Sequence, residues 1–304
     1  MTAMFPLPRD AILVVNAMSR SGADAFDDVC RKLTAAGVTL METHAVDDPA
    51  TMEPTIRDAI ARAPMVILGG GDGTLSSNVD FFVGTDTVFA FVPLGTANSF
   101  AGTLGIPQNI DSAIDVIANG QRKRIDLGRI DGDYFVNAAA IGLSPMIAQT
   151  VPHKLKRYLG KFGYLIWAMW CALRFRPFRV TITHEDGARD KLWATEVRIA
   201  NGTHHGGVEL IESQSIDSGE IVIQAVTGKS VWGLGWSWFA SILKLRARHG
   251  TTREFRGTRI TLKTRPRHKI SIDGEVVAKT PVTVSVAVGA IEVAFPADSV
   301  SPKA

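Results

Sequence analysis

The sequence predicts two domains: an N-terminal α/β domain built on a parallel sheet, and a C-terminal antiparallel β domain interrupted by helices. Three observations carry this. The chain has 304 residues, and domains typically hold about 100–200. Buried-strand runs alternate with helical spacing over the first 125 residues, and short strands with turn signals follow. Charge changes at nearly the same place. Residues 1–133 hold 10 Lys and Arg against 17 Asp and Glu, whereas residues 134–304 hold 23 against 13. The natural cut is 1–125 and 126–304, with the last strand free to pack back on the first domain.

The elements follow in order. Ala11–Val15 is a short apolar run ending at Asn16. Phe26, Val29, Cys30 and Leu33 then recur at helical spacing, with Gly37 as a stop. A second helix covers about Met52–Arg62, with Ile56, Ala59 and Ile60 on one face. Pro64 precedes the strand Met65–Leu68. A glycine-rich loop and a helix running to Val83 come next, then the strand Val88–Val92 ending at Pro93. Strands alternating with helices imply right-handed βαβ units. Beyond Ile125 the strands are short, separated by turns such as Asp131-Gly132-Asp133 and Glu185-Asp186-Gly187. Helical segments interrupt them at about Leu155–Phe175 and Val231–Arg248.

Composition excludes several classes. Apolar residues at 46% and charged residues at 21% describe a chain with a core. Two distant cysteines, Cys30 and Cys171, make neither a disulfide scaffold nor a metal site, and a reducing compartment fits. Met1–Arg9 lacks the basic region of a secretory signal. The longest strongly apolar run, Tyr164–Leu173, is too short to span a bilayer, which needs about 20 residues. A cytoplasmic protein is expected. Tyr134–His184 carries no acidic residue and seven Lys or Arg, so this half suits an anionic surface. The basic residues come without an aromatic RNA-binding motif, which argues against nucleic acid.

Three motifs carry chemistry. Gly69-Gly70-Gly71-Asp72-Gly73-Thr74 follows a buried strand and opens a helix. Glycines let the backbone approach a phosphate, and successive N–H groups with a helix N-terminus favour an anion. The lysine of a P-loop is absent, and a tight turn capped by Thr74 is the bland alternative. Pro93-Leu94-Gly95-Thr96-Ala97-Asn98-Ser99-Phe100-Ala101 also follows a strand. Asn16-Ala17-Met18-Ser19-Arg20 follows the first. All three loops fall at carboxyl ends of parallel strands, where α/β sheets bind ligands. The third motif, Asp273-Gly274-Glu275, follows the strand Ile270–Ile272. Alone it reads as a hairpin turn.

In this order the motifs resemble the diacylglycerol kinase catalytic family, which includes bacterial lipid kinases and sphingosine kinases. The likeness runs from about Ala11 to Phe295. It implies a phosphofructokinase-like α/β domain that binds ATP, followed by a β-sandwich domain. It implies that Gly70, Gly71, Asp72, Gly73 and Thr74 hold phosphates, with Ser76 bordering the nucleotide. It places Asn16, Ala17, Met18, Ser19 and Arg20 in the first-strand loop. Thr43 stands where the family has a nucleotide-contacting threonine after its second strand, and Thr96 is a further contact. Glu275 matches the proton acceptor. Phosphoryl transfer needs charge neutralisation and an oriented hydroxyl, so Asp72 is a candidate either for the Mg²⁺ that travels with ATP or for the base. The implied partners are a diacylglycerol-like lipid substrate and a peripheral anionic membrane surface, with a homodimer left open.

The departures matter as much. Ser76-Ser77 replaces Asn-Glu, Ser99 replaces Asp, Ala17 replaces Pro, and Asp217-Ser218-Gly219 replaces an Asp-Asp-Gly that helps hold a structural Mg²⁺. The loss of carboxylates at Ser99 and Ser218 argues against that second ion. Two other readings share part of the pattern. An NAD kinase also uses GGDGT, and a non-catalytic lipid- or nucleotide-binding regulator would explain the missing acids. His204-His205 suits a turn or a role near the reacting hydroxyl. Tyr158, Tyr164, Trp167 and Trp170 suit the core or a lipid entrance. The basic run Arg253–Lys269 suits a solvated strand face.

Overall fold

The computed structural model describes residues 5–18, 20–152, 163, 166–202, 204–205, 208–209, 215–228, 252–272 and 275–297. The chain forms two compact units. The first takes the described residues within Met1–Leu127, Gly202–Gly219 and Ala287–Ala304, and the second those within Gly128–Asn201 and Glu220–Val286. A single cut at 125/126 therefore assigns to the second domain two stretches that cluster with the first.

The first unit opens with β1 (Phe5–Pro6), β2 (Asp10–Asn16), α1 (Arg20–Ala35), β3 (Thr39–Val46), α2 (Pro49–Arg62) and β4 (Met65–Gly70). It continues with α3 (Asp72–Ser76), a 3₁₀ turn over Val79–Phe82, β5 (Val88–Pro93), α4 (Ser99–Thr103), α5 (Ile110–Asn119) and β6 (Gln121–Ile130), which leads out of the unit. The parallel sheet runs in the order β3-β2-β4-β5. Ala11–Val15, Met65–Leu68 and Val88–Val92 are buried, which is why they read as unbroken apolar runs. β3 is the edge. Its polar residues Glu42, Thr43 and His44 reach solvent, and this alternation hid the strand in the sequence.

Local chemistry sets the helix ends. Asp48 caps α2 by accepting from the Ala50 amide at 2.9 Å, and Pro49 takes the first turn without a lost bond. Asn109 caps α5 through the Ser112 amide at 2.8 Å. The helix expected to reach Val83 stops at Ser76. There the Asn78 side chain donates to the Thr74 carbonyl at 2.6 Å, and the Ser77 hydroxyl to the Gly73 carbonyl at 3.0 Å. Such side chains offer the backbone an alternative to the helical ladder.

The second unit begins with β7 (Asp133–Phe135), β8 (Ala138–Gly142), α6 (Leu143–Thr150), β9 (Phe178–Thr183) and β10 (Arg189–Ala200). The short pair β11 (His204–His205) and β12 (Val208–Glu209) belongs to the first unit. The second resumes with β13 (Ile221–Thr227), β14 (Thr252–Gly257), β15 (Arg259–Arg265), β16 (Lys269–Ile272), β17 (Glu275–Lys279) and the start of β18 (Val282–Phe295). Its pairings are antiparallel. β10 joins two groups of strands. Before its bulge at Ala194/Glu196 it pairs β9, and beyond it pairs β8 and β13. A bulge of this kind lets one strand serve both layers of a β-sandwich, and Phe178, Val180, Val197, Ile199, Ile223 and Leu262 fill the space between. Residues 166–174 are helical. The rest of the helix expected over 155–175, and the one over 231–248, lie outside the described residues.

The end of β18 returns to the first unit and pairs parallel with β5, Glu292 opposite Val88. A polar clamp holds this return. Asp126, buried on β6, accepts from the Gly219 amide at 2.7 Å and the Gly289 amide at 2.8 Å. Lys123 meets Asp217 at 2.8 Å and lies 4.5 Å from the Phe295 ring centroid. Charge-assisted hydrogen bonds of this kind contribute roughly 1.5–3 kcal/mol each, and an orphaned buried donor costs about 1–3 kcal/mol. Asp126→Ala is therefore expected to destabilise the first unit by about 3 kcal/mol or more, with Asp126→Asn milder. Denaturant unfolding followed by far-UV circular dichroism checks this, and an unchanged midpoint for Asp126→Ala would remove the clamp from the account.

Candidate functional site

The carboxyl ends of β2, β4 and β5 are adjacent, with Val15 opposite Gly69, Gly69 opposite Val92 and Gly70 opposite Pro93. The three polar loops read from the sequence thus leave one edge of one sheet, side by side. β4 carries the chain straight through Gly69 and Gly70 before α3 turns away. The Leu94 amide donates to the Gly70 carbonyl at 2.8 Å, which extends the β4–β5 ladder into the loops.

Glycine is required where the loops meet. A Cβ on Gly95 would fall 2.7 Å from the Gly71 Cα, and one on Gly71 would fall 3.2 Å from the Gly95 Cα. A Cβ on Gly70 would strike Thr74 at 2.7 Å. At Gly73 a Cβ would meet nothing within 4 Å, so open space lies over that backbone. α3 is only five residues long. Attraction for an anion would come from the backbone amides of its first turn, which have no acceptor within the helix, with little added by the macrodipole of so short a helix.

Asp72 ties the two loops together. Its Oδ2 accepts from the Ser99 amide at 3.0 Å and its Oδ1 from the Phe100 amide at 3.3 Å, so it caps the first turn of α4. Phe100 anchors that turn, buried 6.0 Å from the rings of Phe89 and Phe91. Asn98 closes the 95–98 turn in a left-handed conformation, φ 43°, accepting from the Gly95 amide at 3.0 Å and donating to its carbonyl at 2.8 Å. Asparagine tolerates that region better than most residues. Asn16 completes the set. Its side-chain amide donates to the Thr74 hydroxyl at 2.8 Å, and its Oδ1 accepts from the Met18 amide at 3.1 Å.

The sequence candidates divide accordingly. Asn16, Ala17, Met18, Gly70, Gly71, Asp72, Gly73, Thr74 and Ser76 fall in or beside the loop cluster, and Thr96 is exposed on the 94–99 loop. Arg20 starts α1, while Ser19 and the Arg20 side chain lie outside the described residues. Thr43 does not join the cluster. It sits inside β3, opposite Leu13 and three residues before the strand end at Val46. A threonine following a strand is replaced here by one within an exposed edge strand. Glu275 opens β17 in the second unit, its backbone opposite Ile272. Asp273, Gly274 and the Glu275 side chain lie outside the described residues. His204-His205 forms a strand rather than a turn, and β11 runs against α4. Asn98 was read only as part of the Pro93–Ala101 motif, with no role of its own, and Asn78 was not singled out, because a lone asparagine has too many ordinary uses to stand out.

The structural Mg²⁺ implied near Asp217 does not fit the residues present. Asp217 is engaged by Lys123 and by the Ser215 hydroxyl. Burial raises this carboxyl, but those two partners outweigh it and hold the group below its ordinary value. Asp126 gives an oxygen to each of two backbone amides. Among the described residues the Lys123 ammonium, 2.8 Å away, supplies the positive charge at Asp217.

Comparison with known proteins agrees with this architecture. Residues 10–130 match the diacylglycerol kinase catalytic domain, and residues 137–295 match the YegS C-terminal NAD kinase beta sandwich-like domain. A protein named diacylglycerol kinase from Bacillus subtilis (strain 168) is 32% identical over 206 residues, 65% of this chain and 66% of the relative. One named diacylglycerol kinase from Staphylococcus saprophyticus is 26% identical over 269 residues, 86% of this chain and 88% of its own. A relative named as a YegS-like lipid kinase, from Chromohalobacter salexigens, is 34% identical over 159 residues, 51% of each chain. The first of these matches span about half to about two thirds of the relatives' lengths. A solved structure described as a diacylglycerol kinase from Bacillus anthracis str. Sterne has a TM-score of 0.76 at 20% identity, covering 99% of this chain and 100% of its own. A second from that organism reaches 0.83 at 23%, covering 99% of both. These two likenesses speak for the fold. With one family model on each half of the sequence, the chain belongs to the diacylglycerol kinase catalytic family and carries its YegS-type β-sandwich-like domain.

Proposed function

We propose that the protein is an ATP-dependent lipid kinase that phosphorylates the hydroxyl of a diacylglycerol-like lipid. The observation that carries this reading is the close approach of Gly71 to Gly95 with open space over Gly73 beside it, where the amides of the first turn of α3 have no acceptor within the helix and suit a phosphate. The relatives' names support a lipid as acceptor. The second unit also exposes Ile166, Met169, Trp170 and Leu173. Their i, i+3, i+4, i+7 spacing makes an apolar helical stripe that suits lipid contact. Arg174 lies 4.0 Å from the Trp170 ring at its end. Trp167 instead packs inward, and Tyr158 and Tyr164 lie outside the described residues.

ATP, when bound, supplies the γ-phosphoryl group, and the Mg²⁺ that accompanies it offsets phosphate charge. Gly71, Gly73 and Thr74 would hold the phosphates, with Asn16 fixing the Thr74 hydroxyl. Asp72 holds the 95–100 loop by its two amide bonds. That supports a positioning role for Asp72, although each carboxylate oxygen keeps lone-pair capacity for a metal ion. The family resemblance gives Glu275 the role of base: it would accept the proton of the lipid hydroxyl as that oxygen bonds to the γ-phosphorus and ADP leaves. The protein would work at a membrane surface on its cytoplasmic side, where ATP is available. The likeness of the second unit to an NAD kinase sandwich concerns its fold. NAD serves as the control acceptor in a labelled-ATP assay with extracted lipid, and labelled NADP in place of labelled lipid would overturn the lipid reading.

Three outcomes are expected. Glu275→Gln should lower kcat by about 10²–10⁴-fold with the KM for ATP unchanged, whereas Asp72→Ala should raise that KM by releasing the 95–100 loop. Wild-type kcat in Glu275→Gln would remove it as the base. Gly95→Ala drives a Cβ into the Gly71 backbone, so ATP affinity measured by calorimetry should fall by at least about tenfold, that is about 1.4 kcal/mol. Unchanged affinity would sink the proposed phosphate site. Chelation with EDTA should stop turnover while leaving the melting temperature of the nucleotide-free protein in place. A falling melting temperature would mean that a metal, rather than Lys123, holds the 215–219 turn.

A further inference from the structure

The solvent face of three strands in the second unit is a lattice of cations. β10, β9 and β15 lie side by side, and their registers align Arg189 with Thr183 and Thr261, Lys191 with Thr181 and Lys263, and Trp193 with Arg179 and Arg265. The residues between them, such as Val180, Ile182, Ile260 and Leu262, point into the core. Strands about 4.8 Å apart, with same-face residues about 6.7 Å apart along each, spread these nine positions over roughly 10 × 13 Å. Five are Arg or Lys, three are Thr and one is Trp. They line a shallow depression of about 720 Å³ with no acidic residue in its wall.

This face works against its own stability. Arg179 and Arg265 are direct cross-strand partners, and like charges placed so are destabilising. Elsewhere in the unit Arg198, Arg253 and Arg256 each pair with a carboxylate. None of the five lattice cations has an ion pair among the described residues. The nearest carboxylates in sequence are committed elsewhere. Asp190 takes the opposite face of β10, where it meets His184 at 3.0 Å and Arg253 at 3.3 Å, and Glu185 accepts from the Thr258 hydroxyl. The Arg179 guanidinium lies 5.1 Å from the Trp193 ring, and Trp193 is 37% exposed. A tryptophan with one apolar face and one N–H suits the boundary between water and lipid.

We infer that this face docks the protein on an anionic bilayer. A pocket for one small anion would converge its cations and line itself with apolar groups. Here the charges are spread over a pleated sheet, matching a plane of lipid phosphates. The inference rests on the lipid-kinase reading in one respect: an insoluble substrate requires the enzyme to hold its membrane. It goes further by assigning that hold to β9, β10 and β15.

The test is co-sedimentation with phosphatidylcholine vesicles, with and without phosphatidylglycerol, at low and high salt. Wild-type protein should bind only the anionic vesicles and be released by salt. The triple variant R189Q/K191Q/K263Q should bind about 100-fold more weakly, roughly fivefold per charge removed. A control triple, R57Q/R62Q/R256Q, removes the same charge elsewhere and should bind as wild type. The lattice triple should melt at or above the wild-type temperature, the control triple slightly below it through its lost surface ion pairs, and both should phosphorylate diacylglycerol in neutral detergent micelles, which need no docking. Wild-type binding by the lattice variant, equal loss in both triples, or no wild-type binding at low salt would each overturn the inference. Absence of micelle turnover in every protein would instead count against the kinase reading.

Discussion

Two neighbouring parallel strands lie about 4.8 Å apart, so the loops that leave their ends compete for the same space. At the ends of β4 and β5 the competition is settled by removing side chains. Gly71 and Gly95 meet backbone to backbone, and the Asp72 carboxylate bridges from one loop to the amides of Ser99 and Phe100 in the other. The rest of the site depends on this tie. It sets where α4 begins and lets Phe100 drop against β5. A larger residue at either glycine would part the loops.

Most of this tie was legible in the sequence, for reasons that differ by residue. The buried strands β2, β4 and β5 could be read because both faces are covered and every position is apolar. The glycines and Asp72 could be read because they stand in motifs at strand ends. β3 escaped because an edge strand keeps one solvated side, so TLMETHAV carries no strong apolar pattern. The helix to Val83 was drawn too long because Asn78 and Ser77 cap backbone carbonyls that a periodicity argument ignores. The Lys123–Asp217 contact joins residues far apart in the chain; Asp217 was noticed through its motif, but nothing local to Lys123 marks it as the partner. The cut at 125/126 allowed for the return of the last strand but gave the described part of Gly202–Gly219 no place beside the first unit, since such a returning segment leaves no mark in composition.

The departures from the family pattern form a consistent set. A carboxylate at position 99 would stand beside Asp72, and two neighbouring carboxylates disfavour a shared charged state unless a cation lies between them. With serine there, Asp72 needs only the amides of Ser99 and Phe100. At 217–219 the second acid is again serine, and the cation present is the ammonium of Lys123. In both places a carboxylate has been exchanged for a neutral residue, with local hydrogen bonding or an internal ion pair holding the structure.

Sites that break a local rule without local compensation are where function concentrates. Asn98 in a left-handed turn is compensated at once by two hydrogen bonds to Gly95, so its strain is explained by the loop it closes. The buried Glu196–Arg198 pair on β10 is supported too, with the Ser144 hydroxyl donating to Glu196 and the Arg198 guanidinium donating to the Gln224 side-chain oxygen at 3.0 Å. Among the described residues the opposed Arg179 and Arg265 meet no carboxylate, and Arg179 has only the Trp193 ring, 5.1 Å away. Their repulsion persists on a rigid, well-packed sheet that could have carried lysine–glutamate pairs at no loss of core. On the reading that this face docks on a bilayer, a plane of lipid phosphates supplies the charge that the described residues do not.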